Sequence, residues 1–335
     1  MKPKEWTRRD FLSATAASIG TVALGNPGEA FASTNDWPAK PIRLVVPWPA
    51  GGPTDVTSRV IGKDLSERLK QAVVIENTPG ASGSIGTQQV ARSTPDGYTL
   101  TMMATPTLLA KFLYASQQID VTKDLTPVAV AYDLPLVLVV NPQALPNIKT
   151  LRNLLDHIKA QRGEFLYTTS AAGSIGHVGM VQLLDQAGLQ AQHVGYKGGP
   201  AAMTDLLGGF VGMMFGDLVV ALPHIRSGRL LALGVGSRTR IEQLPDVPTI
   251  AEQGFPEFEA AAWAGLLAPL GTPQPVVDRL SSETREILKR EDVRRLLVEA
   301  GTMPAYMSAT EMSERLKRDA ARWGAIIKEK NITPG

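Results

Sequence analysis

Two glycine-rich turns carry the residue types best suited to hold a small anion. The first is Pro47-Trp48-Pro49-Ala50-Gly51-Gly52-Pro53-Thr54-Asp55, and the second is Thr169-Ser170-Ala171-Ala172-Gly173-Ser174-Ile175-Gly176-His177. Glycine lets the main chain come close to a ligand. The start of a helix exposes N–H groups that have no carbonyl partner within the helix. A turn that opens a helix therefore binds an anion through backbone donors without needing charged side chains. In the first turn Ala50, Gly51 and Gly52 give the close approach and Trp48 is placed to wall the site. Thr54 is expected to cap the following helix, and Asp55 suits its first turn. In the second turn Ser170, Gly173 and Ser174 take the corresponding places. His177 opens the next helix, where it either packs and caps or touches ligand. Two such turns facing each other would clamp a small carboxylate.

Other polar residues read less sharply. Asp217 follows an apolar strand pattern at 211–215 and could meet a cationic or hydroxyl group, although an N-cap is the favoured reading. Lys197, in a Lys-Gly-Gly turn, could attract a carboxylate, although an exposed and idle lysine is the favoured reading. Met213 and Met214 read as core, and Trp263 either walls a cleft or braces a hinge. The four histidines, His157, His177, His193 and His224, show no pairing at helical spacing, so no metal site is expected. His157 and His224 fall on predicted helices as surface or lobe-edge residues, and His193 reads as a satisfied core histidine. Gly80, Gly83 and Gly86 are not spaced as a dinucleotide fingerprint, and no P-loop, G-x-S-x-G elbow, H-E-x-x-H or EF-hand loop is present, so no cofactor is expected. A hydrolase using Ser170 or Ser174 with His177 is the enzymatic alternative; it lacks a motif for an orienting carboxylate and an oxyanion hole.

These turns need rigid elements to position them. The run at 42–46 reads as a buried parallel strand, and Val56, Val60, Ile61, Leu65 and Leu69 give helix periodicity after it. Further strands are expected at 73–76, 98–103, 165–168, 193–195, 211–215 and 230–235, with helices between them near 85–91, 150–159, from the second glycine turn to about 187, and 218–227. That alternation predicts a parallel sheet with helices on both faces. Longer apolar runs at 127–140 and 258–268 read as two strands crossing between lobes. Thr249 with Glu252, and Ser308 with Glu311, have capping-box spacing. Met312, Leu316, Ala320, Trp323 and Ile327 form one apolar helix stripe, expected to return the C-terminal helices to the first lobe.

The chain has 335 residues, a net charge of +2 and no cysteine. The length favours two lobes, the charge gives no reason to expect nucleic acid, and disulfide or thiolate chemistry is excluded. Thr7-Arg8-Arg9-Asp10-Phe11-Leu12, the small-residue stretch to Leu24 and Ala30-Phe31-Ala32 read as a twin-arginine signal, residues 1–32, with export to the periplasm.

Taken together the chain resembles the Bug family of periplasmic solute receptors, the binding components of tripartite tricarboxylate transporters. The resemblance rests on Trp37-Pro38-Ala39-Lys40-Pro41-Ile42-Arg43, the 46–52 segment, Glu76-Asn77-Thr78-Pro79-Gly80-Ala81-Ser82-Gly83 and Pro95-Asp96-Gly97-Tyr98-Thr99-Leu100. Gly173-Ser174-Ile175-Gly176-His177, Tyr196-Lys197-Gly198-Gly199, Leu222-Pro223-His224-Ile225, Leu244-Pro245-Asp246-Val247-Pro248-Thr249 and Ala268-Pro269 complete it. The resemblance implies an α/β, two-lobed periplasmic binding protein of the type II-like Venus-flytrap kind without catalysis, with two crossing strands as hinge. Lobe 1 would hold residues 36–134 plus 262–335 and lobe 2 residues 135–261. It implies carboxylate binding by the two turns, a further contact at Thr105, a membrane transporter as partner and a monomeric receptor. A sensory receptor of the same fold is the alternative. Gly216 stands where the family often has an aspartate, with Asp217 one step later.

Overall fold

The apolar run Ile42–Val46 forms β1, with Leu44, Val45 and Val46 fully buried. A computed structural model describes residues 37–114, 119–196 and 198–333. From Pro38 onward the chain is one compact unit. β1 lies between β2 (Val73–Asn77) and β3 (Thr99–Ala104), parallel to both, which explains why its sequence is continuously apolar rather than alternating. Helix α1 (Pro53–Leu69) follows β1. Its cap is Gly52 in extended conformation, with Pro53 in the first turn, where a missing N–H costs nothing. Thr54 therefore does not cap the helix as its residue type suggested. It lies inside α1, and its hydroxyl accepts from Tyr132 Oη at 2.8 Å.

Two elements were not anticipated near the first turn. Ala81–Gly83 forms a single helical turn in which Ala81 and Ser82 both adopt left-handed backbone, φ 47° and 53°. Non-glycine residues rarely hold that conformation except where the surroundings enforce it. It leads into α2 (Ser84–Ala91). Helix α3 (Thr105–Leu113) begins directly where β3 ends.

β4 (Leu125–Val140) organises the sheet. Through Pro135 it pairs antiparallel with β9 (Ala261–Pro269), and around Val130–Asp133 with β10 (Met303–Met307). From Leu136 onward its partners are β7 (Met213–Asp217) and β8 (Leu231–Val235). The long strand expected at 127–140 is thus present, and it changes partners at Pro135/Leu136. β5 (Leu166–Thr169) runs parallel to β7 and to β6 (Gln192–Val194). The described sheet has the order β2-β1-β3-β9-β4-β7-β5-β6, with β8 and β10 attached to β4.

Helices α4 (Leu151–Ala160), α5 (Ile175–Gln186), α6 (Gly199–Leu207) and α7 (Leu218–Arg226) connect the strands of the β4–β7 half. Helices α8 (Gln274–Lys289), α9 (Glu291–Glu299) and α10 (Ala309–Glu329) complete the chain. α10 opens with the expected Ser308/Glu311 capping box. Thr249 and Glu252 also exchange bonds reciprocally, at 2.7 and 3.0 Å. The C-terminal helix does more than return to one half. Met312, Leu316 and Ala320 pack with Val45, Met103, Val130 and Trp263, whereas Trp323 and Ile327 join a second cluster with Val140, Tyr167 and Phe215. Trp263 is fully buried, and its Nε1 donates to Asp319 at 2.8 Å, so it braces the core instead of walling a cleft. Met213 and Met214 are core residues, as their apolar context implied.

Candidate functional site

The segments that follow β1, β2, β3 and β5, with the last residue of β7, converge on one cavity of about 220 Å³. Each lies at the carboxyl end of a strand, and the cavity sits where β4 changes partners, the usual place for a ligand in an open α/β sheet. Trp48 enters from the first glycine turn, Ser82 from the left-handed turn, and Pro106 and Leu113 from α3. Residues 170–176 form the opposite wall with Asp217, and Leu136 and Ala262 supply the floor from the crossing segments. Asp217 pairs with Leu136 in the β4–β7 register, which fixes its carboxylate at the change-over.

The second turn is built to present helix amides. Ser174 is the N-cap of α5, and its hydroxyl accepts the His177 N–H at 3.3 Å. Gly173 has φ 70°, and its N–H donates to His177 Nδ1 at 3.0 Å. Ile175 and Gly176 then occupy the first helical positions, whose N–H groups have no partner within a helix. The helix dipole adds partial positive charge at the same spot. A side chain at Gly176 would bring its Cβ within 2.4 Å of the Phe215 carbonyl oxygen, so only glycine lets α5 start this close to β7.

His177 does not line the cavity; it holds the turn from behind. Its ring stacks on His193, with centroids 3.8 Å apart and planes 12° from parallel. Thr169 Oγ1 donates to the Ala171 carbonyl at 3.0 Å, which spends its one proton. His193 Nε2, 2.8 Å from the same hydroxyl, is therefore the donor between them. Burial pushes both imidazoles down to about 4, with His193 adding to the shift at His177. Both rings are neutral near pH 7, so Nδ1 of His177 stays an acceptor for Gly173. His193 is the satisfied histidine its sequence context suggested. His157 packs edge-on against Phe165 and His224 lies on α7 beside Arg229.

The first turn contributes Trp48 to the wall, but not Ala50, Gly51, Gly52 or Asp55. The Gly51 N–H is taken by Asp55 Oδ2 at 2.9 Å. Asp55 also accepts from Asn77 and Arg59 at 2.9 and 3.0 Å, and Asn77 donates to the Trp48 carbonyl at 3.1 Å. Burial alone would raise the Asp55 carboxyl, but Arg59, the Gly51 amide and Asn77 together hold it below the usual range. This network sets the Trp48 backbone and spends the Gly51 donor. Among the described residues the Trp48 indole N–H is buried without a partner. Thr105 is fully buried and does not reach the wall. Its hydroxyl accepts the Trp263 N–H at 2.7 Å and donates to the Trp263 carbonyl at 2.8 Å. Its neighbour Pro106 takes the place at the cavity.

Asp217 stands at the N-cap position of α7, yet its side chain makes no capping bond. Oδ2 instead accepts from Ser170 Oγ at 2.6 Å, and burial pushes the carboxyl above its usual range. Among the described residues neither Ser170 nor Ser174 hydrogen-bonds a histidine ring: Ser170 meets Asp217, and Ser174 meets Thr169 at 3.4 Å. A serine nucleophile with His177 as its base has no geometry here. Lys197 lies outside the described residues.

Ser82, Pro106, Leu113, Leu136 and Ala262 escaped the sequence reading because their approach depends on long-range pairing. The placement of connecting segments at strand carboxyl ends was a usable signal for Ser82 and Pro106.

A concave site at the carboxyl ends of strands in this α/β sheet, offering helix amides between apolar walls, defines a solute-binding protein of the periplasmic type. The chain belongs to the tripartite tricarboxylate transporter family receptor group, TctC, whose family model matches residues 57–332. It is 35% identical over 314 residues to Protein BugT of Bordetella pertussis, covering 93% of this chain and 94% of that one. Two solved structures are similar throughout. R. palustris Rpa4515 with adipate has 31% identity and a TM-score of 0.74, covering 90% of this chain and 100% of that one. MatC from Rhodopseudomonas palustris with bound malate has 30% identity and a TM-score of 0.70, covering 87% and 100%.

Proposed function

We propose that this receptor captures a small organic carboxylate in the cavity described above and delivers it to the membrane subunits of a tripartite tricarboxylate-type transporter. The observation that carries this reading is the unpaired start of α5, at Ile175 and Gly176, forming one wall of a cavity otherwise lined mainly by apolar side chains. Backbone donors of this kind stabilise an anion with little reorganisation. Malate and adipate on two relatives of about 30% identity support a small organic acid as the ligand class.

In this reading the receptor is a monomer with lobes at 36–134 plus 262–335 and at 135–261, hinged at the β4 crossing and the segment entering β9. A ligand touching both walls favours the closed arrangement, as any population shift requires. Export to the periplasm would use the twin-arginine signal, which lies outside the described residues. Calorimetric titration with a panel of organic acids tests the proposal. At least one carboxylate should bind, and Gly173→Val should weaken it at least tenfold while the chain stays folded, with a melting temperature lowered by the strain. That substitution strains a left-handed position and drives Cβ toward Leu113, 2.9 Å away across the cavity. Binding unaffected by Gly173→Val would remove the proposed site.

A further inference from the structure

One acidic side chain lines this otherwise anion-binding cavity. The Asp217 carboxylate shares the wall with Ser170, Ser174 and the start of α5. Among the described residues no cation lies within ion-pair distance of it, and its side-chain hydrogen-bond partner is the Ser170 hydroxyl at 2.6 Å. A carboxylate has room for about four hydrogen bonds across its two oxygens. Much of the surrounding wall is Pro106, Leu113, Leu136 and alanines, whose side chains offer none, beside Trp48, whose indole N–H has no partner among the described residues. Isolated buried charge is costly, and the cost is relieved by a donor brought by whatever fills the space. A second ligand carboxylate beside it would instead place like charges together in a desolvated site.

We propose that Asp217 sets ligand selectivity: the receptor takes a monocarboxylate whose other end carries an N–H or O–H donor, and turns away the matched dicarboxylate. The inference rests on the proposed carboxylate-binding role of the cavity. Ser170 acts as a positioning residue, holding one Asp217 oxygen and leaving the other for the ligand.

The test is a matched panel at two chain lengths, titrated calorimetrically into the full mature chain. It comprises succinate and adipate, their monoamides, 4-aminobutanoate and 6-aminohexanoate, and butanoate and hexanoate as monocarboxylates without a distal donor. Wild type is expected to bind an amide- or amine-ended member at least tenfold tighter than the dicarboxylate of equal length. Asp217→Asn, nearly isosteric, should shrink that ratio at least tenfold. Ser170→Ala is the second variant and keeps the preference for donor-ended ligands, since Asp217 remains. A wild-type preference for the dicarboxylate, or a ratio that Asp217→Asn leaves unmoved, overturns the inference while the receptor role stands. Failure of every carboxylate to bind removes the receptor role itself, so the two failures are distinguishable.

Discussion

The histidine pair behind the second turn shows how single residues set the site's working range. Both rings titrate near 4 when folded, against 6.5 for the free side chain. As pH falls below about 6.5, the unfolded chain takes up protons that the folded chain refuses. The pair's contribution to stability is therefore intact above pH 6.5, declines between about 6.5 and 4, and levels off below that. Melting curves from pH 7.5 to 4 should show this decline. His193→Gln, which keeps a donor for Thr169 but does not titrate, should flatten it; equal slopes in both proteins would contradict the assignment. At this scale the sequence was partly legible. Ser174 and His177 were recognisable from their place at a helix start, but the stacking of His177 on His193 joins residues 16 positions apart and leaves no local trace. Gly51 misled for a related reason: its amide donor is consumed by Asp55, four residues on.

Among the elements, those with a strong period or a continuous apolar run were readable, and β1, α1, β4 and α10 all form close to the expected bounds. α3 escaped because Thr105-Pro106-Thr107 follows the strand with no intervening turn residues. β10 escaped because it is short, half-buried throughout and carries Pro304. Proline is tolerated there because the strand sits at an edge, pairing with β4 alone. Caps are local and so were visible in advance. The Ser308/Glu311 box satisfies two helix-start donors at once. Ser308→Ala should cost about 1 kcal/mol, measurable by denaturant unfolding. A loss below a few tenths would mean that α10 is held by packing alone.

For the whole molecule, the topology explains why a cavity of this kind was foreseeable although its walls were not. Alternating strands and helices dictate turns gathered at the strand carboxyl ends, but which turns meet depends on β4 changing partners at Pro135/Leu136. No local pattern encodes that register. The two core clusters share α10, whose Trp323 is almost fully buried in one while Met312 is fully buried in the other. Trp323→Ala should cost about 3–5 kcal/mol and still give a single calorimetric transition. Two resolved transitions would show that the halves unfold independently.

A beam anchored at both ends limits how far a jaw can swing. The Asp133–Arg315 bond at 2.8 Å ties the first half of α10 beside the bend in β4, and Arg322 reaches Gln182 of α5 at 3.1 Å. In the proposed hinged reading, opening the mouth has to bend this 21-residue helix, slide along it, or break one of its moorings. The travel available for admitting solute would then be set by a segment that contributes nothing to the cavity lining.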